Sequence, residues 1–295
     1  LAAERPVVTV VVLGATGFLG SNLVRLLDAR FEVVAVSRGA APGASSAPFE
    51  GWTAAVDQAL ARGPVAVVNT VAIAVHAQCE TDPVACDRVN HLLARDVGAA
   101  CRERAVPLVH VSTDGLFGQG TPQTAPGYFG VGDATFARNA YARSKRAAEQ
   151  ALELLDWGHV LRLSFVGPDN GTRRGLVRFM ADRARSGARD IDGYVDTWFT
   201  PVHVRDVARV ISGRVERPVR GFELEHVASY PAMTKYDYLK AVLAGAGVDI
   251  EVVPVARDGA GALQPADQSL AAPDPVSKQS VIDASVRDVM DLLAE

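Results

Sequence analysis

Tyr141 and Lys145 stand four residues apart in the run Tyr141-Ala142-Arg143-Ser144-Lys145. On a helix this spacing puts both side chains on one face. A lysine cation beside a phenol favours phenolate and lowers the tyrosine pKa. Tyr141 would then be prepared to exchange a proton with a hydroxyl or carbonyl oxygen near neutral pH. Tyr–Lys pairs are also common on plain helix surfaces, but lysine is scarce here. Lys145, Lys235, Lys240 and Lys278 are the only lysines in 295 residues. Upstream, Ser112-Thr113-Asp114 closes an apolar run. A hydroxyl there can hydrogen-bond a reacting oxygen, and the carboxylate can orient neighbours or a sugar hydroxyl. The plain alternative is a strand-ending turn, which these residue types favour.

A third pattern says what could be held beside this chemistry. Val10 to Leu13 flow into Gly14-Ala15-Thr16-Gly17-Phe18-Leu19-Gly20, three glycines at G-x-x-G-x-x-G spacing, and an amphipathic stretch follows. Glycine lets the chain turn tightly and approach a phosphate closely, and the helix start then offers N–H groups and a positive dipole end. Strand, glycines and helix in this order predict a dinucleotide site. An NAD site usually carries an acidic residue at the end of the second strand. Here that strand ends in Ser37-Arg38. No carboxylate repels a ribose 2′-phosphate, and Arg38 can pair with one. The expected cofactor is therefore NADPH (NADP+) rather than NADH.

The elements that must position these groups follow from periodicity. Apolar, β-branched runs at 7–13, 32–37, 65–71, 108–112 and 159–164 alternate with helical patterns at 21–29, 53–62, 83–103 and 139–155. Continuous apolar strands separated by helices predict a parallel sheet covered on both faces. Residues 39–48 and 118–132 read as loops, the second a candidate border of a substrate site. Beyond 164 the alternation is irregular. Helices are expected at 175–186, 207–215, 235–246 and 284–293, an extended stretch at 195–204, a strand at 221–227 and a loop at 258–275. The expected fold is α/β, a Rossmann-type doubly wound parallel sheet with a smaller C-terminal α/β substrate-binding subdomain. We assign 1–163 to the dinucleotide-binding domain and 164–295 to the subdomain, with about 195–225 returning to the Rossmann domain.

Hydrophobic residues make up 48% of the chain, enough for a large core. The net charge of −4 and pI of about 5.9 suggest neither a nucleic acid nor an anionic membrane as partner. Cys79, Cys86 and Cys101 form no C-x-x-C pair and leave an odd count, so reduced thiols in a cytoplasmic protein are expected. Cys86 and Cys101 read as helix-packing residues. No signal peptide is read, and the run at 7–13 is too short to span a bilayer. His76, His91, His110, His159, His203 and His226 show no metal-ligand spacing beside a carboxylate, so no metal is expected.

In order and spacing, Gly14-x-x-Gly17-x-x-Gly20, Ser112-Thr113-Asp114 and Tyr141-x-x-x-Lys145 resemble an extended short-chain dehydrogenase/reductase. Among these the chain is similar to the dTDP-4-dehydrorhamnose reductases. Val68-Asn69-Thr70-Val71-Ala72, Glu80-Thr81-Asp82-Pro83 before Val89-Asn90, and Ser112-Thr113-Asp114-Gly115-Leu116-Phe117 carry that likeness. So do Leu161 to Gly167 and Thr200 to Val204. The likeness spans nearly the whole chain and loosens after Gly167.

The resemblance implies NADPH-dependent reduction of a nucleotide-activated 4-keto-6-deoxyhexose, dTDP-linked, to the 4-hydroxy sugar. Tyr141 would protonate the C4 oxygen, Thr113 would hydrogen-bond it, and Lys145 would bind the nicotinamide ribose and tune Tyr141. The cofactor would meet the glycine loop from Gly14 to Gly20, then Ser37, Arg38, Val71, Ala72, Asn90, Ser112, Tyr141, Lys145 and Ser164. The sugar nucleotide would meet His76, Asp114, Phe165, Arg173 and Arg174. His76 reads as a pocket wall rather than a proton carrier, and Arg173, Arg174 and Arg178 read equally as a solvated face. A homodimer is compatible with the sequence.

Some residues depart from the pattern. Ile73 and His76 replace more typical residues after the fourth strand. Gly115 stands where nucleotide-sugar dehydratases place a glutamate, which argues for simple reduction. A 4-epimerase using bound NAD shares the Tyr–Lys pair, and Ser37-Arg38 disfavours it. The remaining alternative is a non-catalytic NADP-binding regulatory subunit, as in methionine adenosyltransferase.

Overall fold

β1 (Thr9–Leu13) and β2 (Glu32–Ser37) pair in parallel, joined by α1 (Phe18–Leu27). The chain continues through β3 (Ser45–Ser46), α2 (Trp52–Leu60) and β4 (Ala66–Asn69). Next come α3 (His76–Thr81), α4 (Pro83–Asp87), a π-helical turn at Arg88–Leu92, α5 (Leu93–Glu103) and β5 (Leu108–Val111). Then follow α6 (Ala140–Leu152), β6 (Trp157–Leu163) and β7 (Phe165–Val166). This computed structural model describes residues 8–37, 45–46, 51–118, 125–257 and 263–295.

The second part holds α7 (Leu176–Arg185), β8 (Asp190–Tyr194), β9 (Trp198–Phe199), β10 (Val202–His203), α8 (Val204–Glu216) and β11 (Gly221–Val227). It ends with β12 (Ser229–Tyr230), β13 (Met233–Thr234), α9 (Lys235–Gly245), β14 (Glu251–Val255), β15 (Asp267–Gln268), β16 (Val276–Ser277) and α10 (Lys278–Ala294).

Among the described residues the main sheet has seven strands in the order β11-β6-β5-β4-β1-β2-β3, all parallel. The α/β, Rossmann-type expectation is met. β4 and β5 are buried at every position, as strands sandwiched between helices must be. α1 and α8 cover one face, through Leu19, Leu23, Leu27, Val207 and Ile211. α2, α5 and α6 cover the other, through Trp52, Val56, Leu93, Val97 and Leu152. A third apolar cluster joins α7, α9 and α10 around Met180, Tyr238, Val242 and Val289. The strand order reverses between β1 and β4, so a crevice opens past their carboxyl ends.

Several expectations need correction. The stretch expected as one helix over 83–103 is interrupted by the π turn. Within the expected loop 39–48, Ser45 and Ser46 pair with Val36 and Ser37 as β3; its other residues lie outside those described. β8 and β14 form a parallel pair that periodicity does not reveal, and the last helix begins at Lys278, not 284. Cys79 and Cys86 are joined in a disulfide, not reduced. Asp82 breaks the chain between α3 and α4, caps α4 and folds the two cysteines to a Cα separation of 5.1 Å. Cys101 is a free, buried thiol on α5, as expected. No helix among the described residues is long and apolar enough to cross a membrane.

Candidate active site

The glycine loop follows β1 directly. Gly14 has φ +85°, a left-handed conformation that favours glycine, and the N–H groups of Gly14 and Ala15 both donate to the Val36 carbonyl. A Cβ on Gly20 would strike the Gly14 carbonyl oxygen, so only glycine lets α1 lie this close to the loop. Thr16 and Gly17 are exposed, and among the described residues no side chain caps α1. Its first N–H groups therefore point outward from a helix start, where an anion is favoured. Ser37 is buried at the end of β2. Arg38 lies outside the described residues.

β5 and α6 carry the acid–base residues. Asn139 caps α6, accepting from the Ala142 N–H at 2.7 Å, and this fixes the first turn on which Tyr141 sits. Thr113 neighbours the Tyr141 phenol and acts to lower its pKa. It also donates to Asp114 Oδ1 at 3.2 Å and accepts from the Gly115 N–H at 3.0 Å. Lys145 is buried and its ammonium donates to the Val111 carbonyl at 2.7 Å and to His110 Nε2 at 3.1 Å. Burial pulls Lys145 down to about 8, partly opposed by Glu149. Burial and the Lys145 charge hold His110 well below its ordinary value, so a neutral imidazole accepts from the lysine.

One electrostatic expectation reverses. Lys145 does not draw the phenol down; burial raises Tyr141 to about 12, with Thr113 lowering it and the Asp114 charge raising it. Burial likewise raises Asp114 to about 6, opposed by the Lys235 cation and by hydrogen bonds from Thr113 and Ser164. Tyr141 is thus a proton-loaded phenol across the neutral range.

A buried network that the sequence does not reveal holds β5 against α6 and β6. Glu149 accepts from Ser112 Oγ at 2.6 Å and from Arg162 Nε and Nη2 at 2.9 and 2.8 Å. Arg162 also stacks on Phe117, its guanidinium carbon 5.2 Å from the ring centre. Breaking one side of such a buried ion pair typically costs about 3–5 kcal/mol. Ser112, expected to meet the cofactor, spends its hydroxyl on Glu149.

Asn90 serves the segment after β4. Its Oδ1 accepts from the Ile73 N–H at 2.7 Å, and its Nδ2 donates to the Ile73 carbonyl at 3.1 Å and to Ser144 Oγ at 3.0 Å. Asn90 therefore clamps the Val71–Ala72–Ile73 backbone to α6. The Cys79–Cys86 disulfide packs beneath, against Ile73, Ala140 and Tyr141. His76 starts α3 with its ring edge-on to Tyr141 at 4.6 Å, and burial lowers its pKa.

His76 also borders a cleft of about 1110 Å³ whose far wall includes Arg183, Asp190, Tyr194, Lys235 and Arg257. The cleft thus lies between the Tyr141 region and the α7/α9 part. Lys235, at the start of α9, belongs to no motif that the sequence shows. Its ammonium sits 3.3 Å from the Phe199 ring centre, and burial lowers it to about 8 against the pull of Asp114. Three expected substrate contacts sit elsewhere. Phe165 packs on Phe18 at 5.5 Å, and Arg173 and Arg174 are exposed on the turn before α7, outside the cleft lining.

The RmlD substrate binding domain matches residues 8–279. A dTDP-4-keto-6-deoxy-D-glucose reductase from Streptomyces niveus is 32% identical over 260 residues, 86% of this chain and 85% of its own. The crystal structure of a dTDP-4-dehydrorhamnose reductase from Bacillus anthracis in complex with NADP superposes with a TM-score of 0.81 at 21% identity, covering 97% and 99% of the two chains. A UDP-glucose 4-epimerase from Thermotoga maritima with UDP-glucose gives 0.79 at 19% identity, covering 97% and 99%. Reductases and epimerases thus share this fold, and fold alone does not separate them. With 272 residues matched from 8 to 279, the chain belongs to the RmlD substrate-binding domain family.

Proposed function

We propose that this protein is an NADP-linked oxidoreductase that reduces a nucleotide-activated 4-keto-6-deoxyhexose, dTDP-linked, to the 4-hydroxy sugar. The observation that carries this reading is the placement of Tyr141 on α6 with its ring edge-on to His76 at 4.6 Å, and His76 in turn borders the cleft. The reductase named among the relatives supports the substrate class.

The glycine cradle and the uncapped start of α1 fit a pyrophosphate. Gly14 to Gly20 would hold it, Ser37 and Arg38 the 2′-phosphate, and Val71 and Ala72 would wall the nicotinamide. The bound cofactor supplies hydride to the sugar C4. An ammonium has three donors; Lys145 gives two to His110 and Val111, and the third would hold the nicotinamide ribose. Tyr141 gives its proton to the C4 oxygen, with Thr113 bracing the phenol. In this reading residues 1–163 and about 195–225 serve the cofactor, and the rest of 164–295 serves the sugar nucleotide.

The test follows NADPH absorbance with dTDP-4-keto-6-deoxyglucose, with and without a 3,5-epimerase. Wild type should consume NADPH. Tyr141→Phe should cut turnover by about 10²-fold or more, the scale of general-acid catalysis, with NADPH binding retained. Tight NADPH binding without turnover on any keto-sugar would favour a non-catalytic regulator. Arg38→Ala should weaken NADPH far more than NADH in a fluorescence titration; equal weakening would remove the 2′-phosphate argument.

A further inference from the structure

Leu263 and Gln264 lie on the run that leads into β15, far from Tyr141 in the chain, yet both reach its supports. The Leu263 carbonyl accepts from Asn139 Nδ2 at 2.5 Å. Asn139 is the cap of α6, so its amide oxygen holds the first turn under Tyr141 while its amide nitrogen holds Leu263. The next residue, Gln264, donates from Nε2 to His76 Nδ1 at 3.1 Å. His76 in turn stands edge-on to the Tyr141 ring, with 4.6 Å between ring centres. Leu263, Gln264 and His76 all border the cleft.

This run is itself firmly held. Pro265 restricts the backbone of the residue before it. The Arg257 guanidinium donates to the Gln264 carbonyl, the Trp198 N–H donates to the Ala266 carbonyl at 2.8 Å, and β15 then pairs with β9. The His76 ring has less to hold it. Its Nε2 is buried and has no hydrogen-bond partner among the described residues. An amide nitrogen can only donate, so Nδ1 accepts and the proton of the neutral ring sits on Nε2. The hydrogen bond from Gln264 therefore fixes how the imidazole is turned, and an aromatic pair depends on that angle.

We propose that Gln264 is a positioning residue for Tyr141, holding the His76 ring so that the phenol keeps its place beside the cleft. This rests on the reductase reading above, in which the Tyr141 hydroxyl must come within hydrogen-bond reach of the sugar C4 oxygen. The far wall of the cleft thus sets the acid that faces it, through one hydrogen bond and one ring contact. Neither His76 nor Gln264 exchanges a proton with the sugar.

The experiment uses the full chain and the variants Gln264→Leu, His76→Phe and the two combined. Leucine removes the donor, and phenylalanine keeps a ring against Tyr141 without an acceptor. Nitrogen NMR of the histidines and carbon NMR of ring-labelled tyrosine are read in the cofactor-free protein. Wild-type His76 should carry its proton on Nε2, and Gln264→Leu should shift both the His76 and the Tyr141 signals. Single-turnover NADPH oxidation at saturating dTDP-4-keto-6-deoxyglucose should slow by about 10-fold or more in Gln264→Leu, since misplacing a reacting group by about 1 Å can cost about 10²-fold. KM for the sugar nucleotide should hold, whereas a residue that merely lined the cleft would raise KM and leave the rate. His76→Phe should slow the step by a similar factor, and adding Gln264→Leu to it should cost little more, because both act through one contact. A Tyr141 signal unmoved in Gln264→Leu, a raised KM with the rate unchanged, or losses that multiply in the combined variant would each overturn this inference alone. No NADPH loss by wild type with any keto-sugar overturns the reductase reading and this inference with it.

Discussion

Lys145 is legible from sequence by its spacing to Tyr141, but its electrostatic partner is not. The i,i+4 rule gives the face a side chain shares, not which groups lie across from it. His110 comes from β5, 35 residues away in the chain, and looks like an ordinary strand residue. The burial that raises Tyr141 cannot be read from local sequence either. Lys145 itself carries a testable cost. Its folded pKa of about 8 lies below the ordinary 10.5. Between these values the unfolded chain binds more protons, so stability rises with pH across that window. Below about 8 the penalty of the buried charge is complete, and above 10.5 it is gone. Relative to Lys145→Met, wild type should therefore gain about 3 kcal/mol across the window, because each pH unit between the two values contributes about 1.4 kcal/mol. Urea unfolding of both proteins at several pH values checks this. A difference independent of pH would mean that the ammonium is well solvated. Turnover should be lost in the variant throughout.

At the level of elements, β1, β2 and β4 are well marked because each is an apolar, valine-rich run, whereas the two serines of β3 carry no such signal. β2 and β11 match their expected bounds, Glu32–Ser37 and Gly221–Val227. The π turn at Arg88–Leu92 is not legible, since it inserts into an otherwise continuous helical pattern. It carries Asn90, which ties the Val71–Ile73 segment to α6. The family resemblance implies a direct cofactor contact for Asn90; the geometry favours an indirect role through that backbone. Asn90→Leu leaves the half-buried Ile73 N–H without its acceptor, at a cost of about 1 kcal/mol. It should also weaken NADPH binding by releasing the segment. Denaturant unfolding and an NADPH titration check the two effects. Lost stability with unchanged NADPH affinity would mean that this segment does not border the cofactor. β8 escapes notice for another reason. Asp190-Ile191-Asp192-Gly193-Tyr194 contains three residues that strands disfavour, and its pairing with β14 overrides that propensity.

On the scale of the whole molecule, the parallel sheet and the two helix layers follow from the alternation of elements, whereas the cleft depends on contacts between distant segments. The Lys235 charge acts on Asp114 across 121 residues, and Gln264 Nε2 meets His76 Nδ1 at 3.1 Å across 188. The Cys79–Cys86 pair is hidden in the sequence because it depends on how Asp82 turns α3 into α4. Tyr141 adjoins His76, which borders the cleft, and in the reductase reading hydride and proton would meet there at the sugar C4. NADPH deuterated at the transferring C4 position, given with dTDP-4-keto-6-deoxyglucose and followed by NMR of the product, tests that meeting directly. Deuterium should appear at the sugar C4, one per NADP+ formed. An unlabelled sugar, whether unchanged or epimerised without NADPH loss, would rule the reduction out.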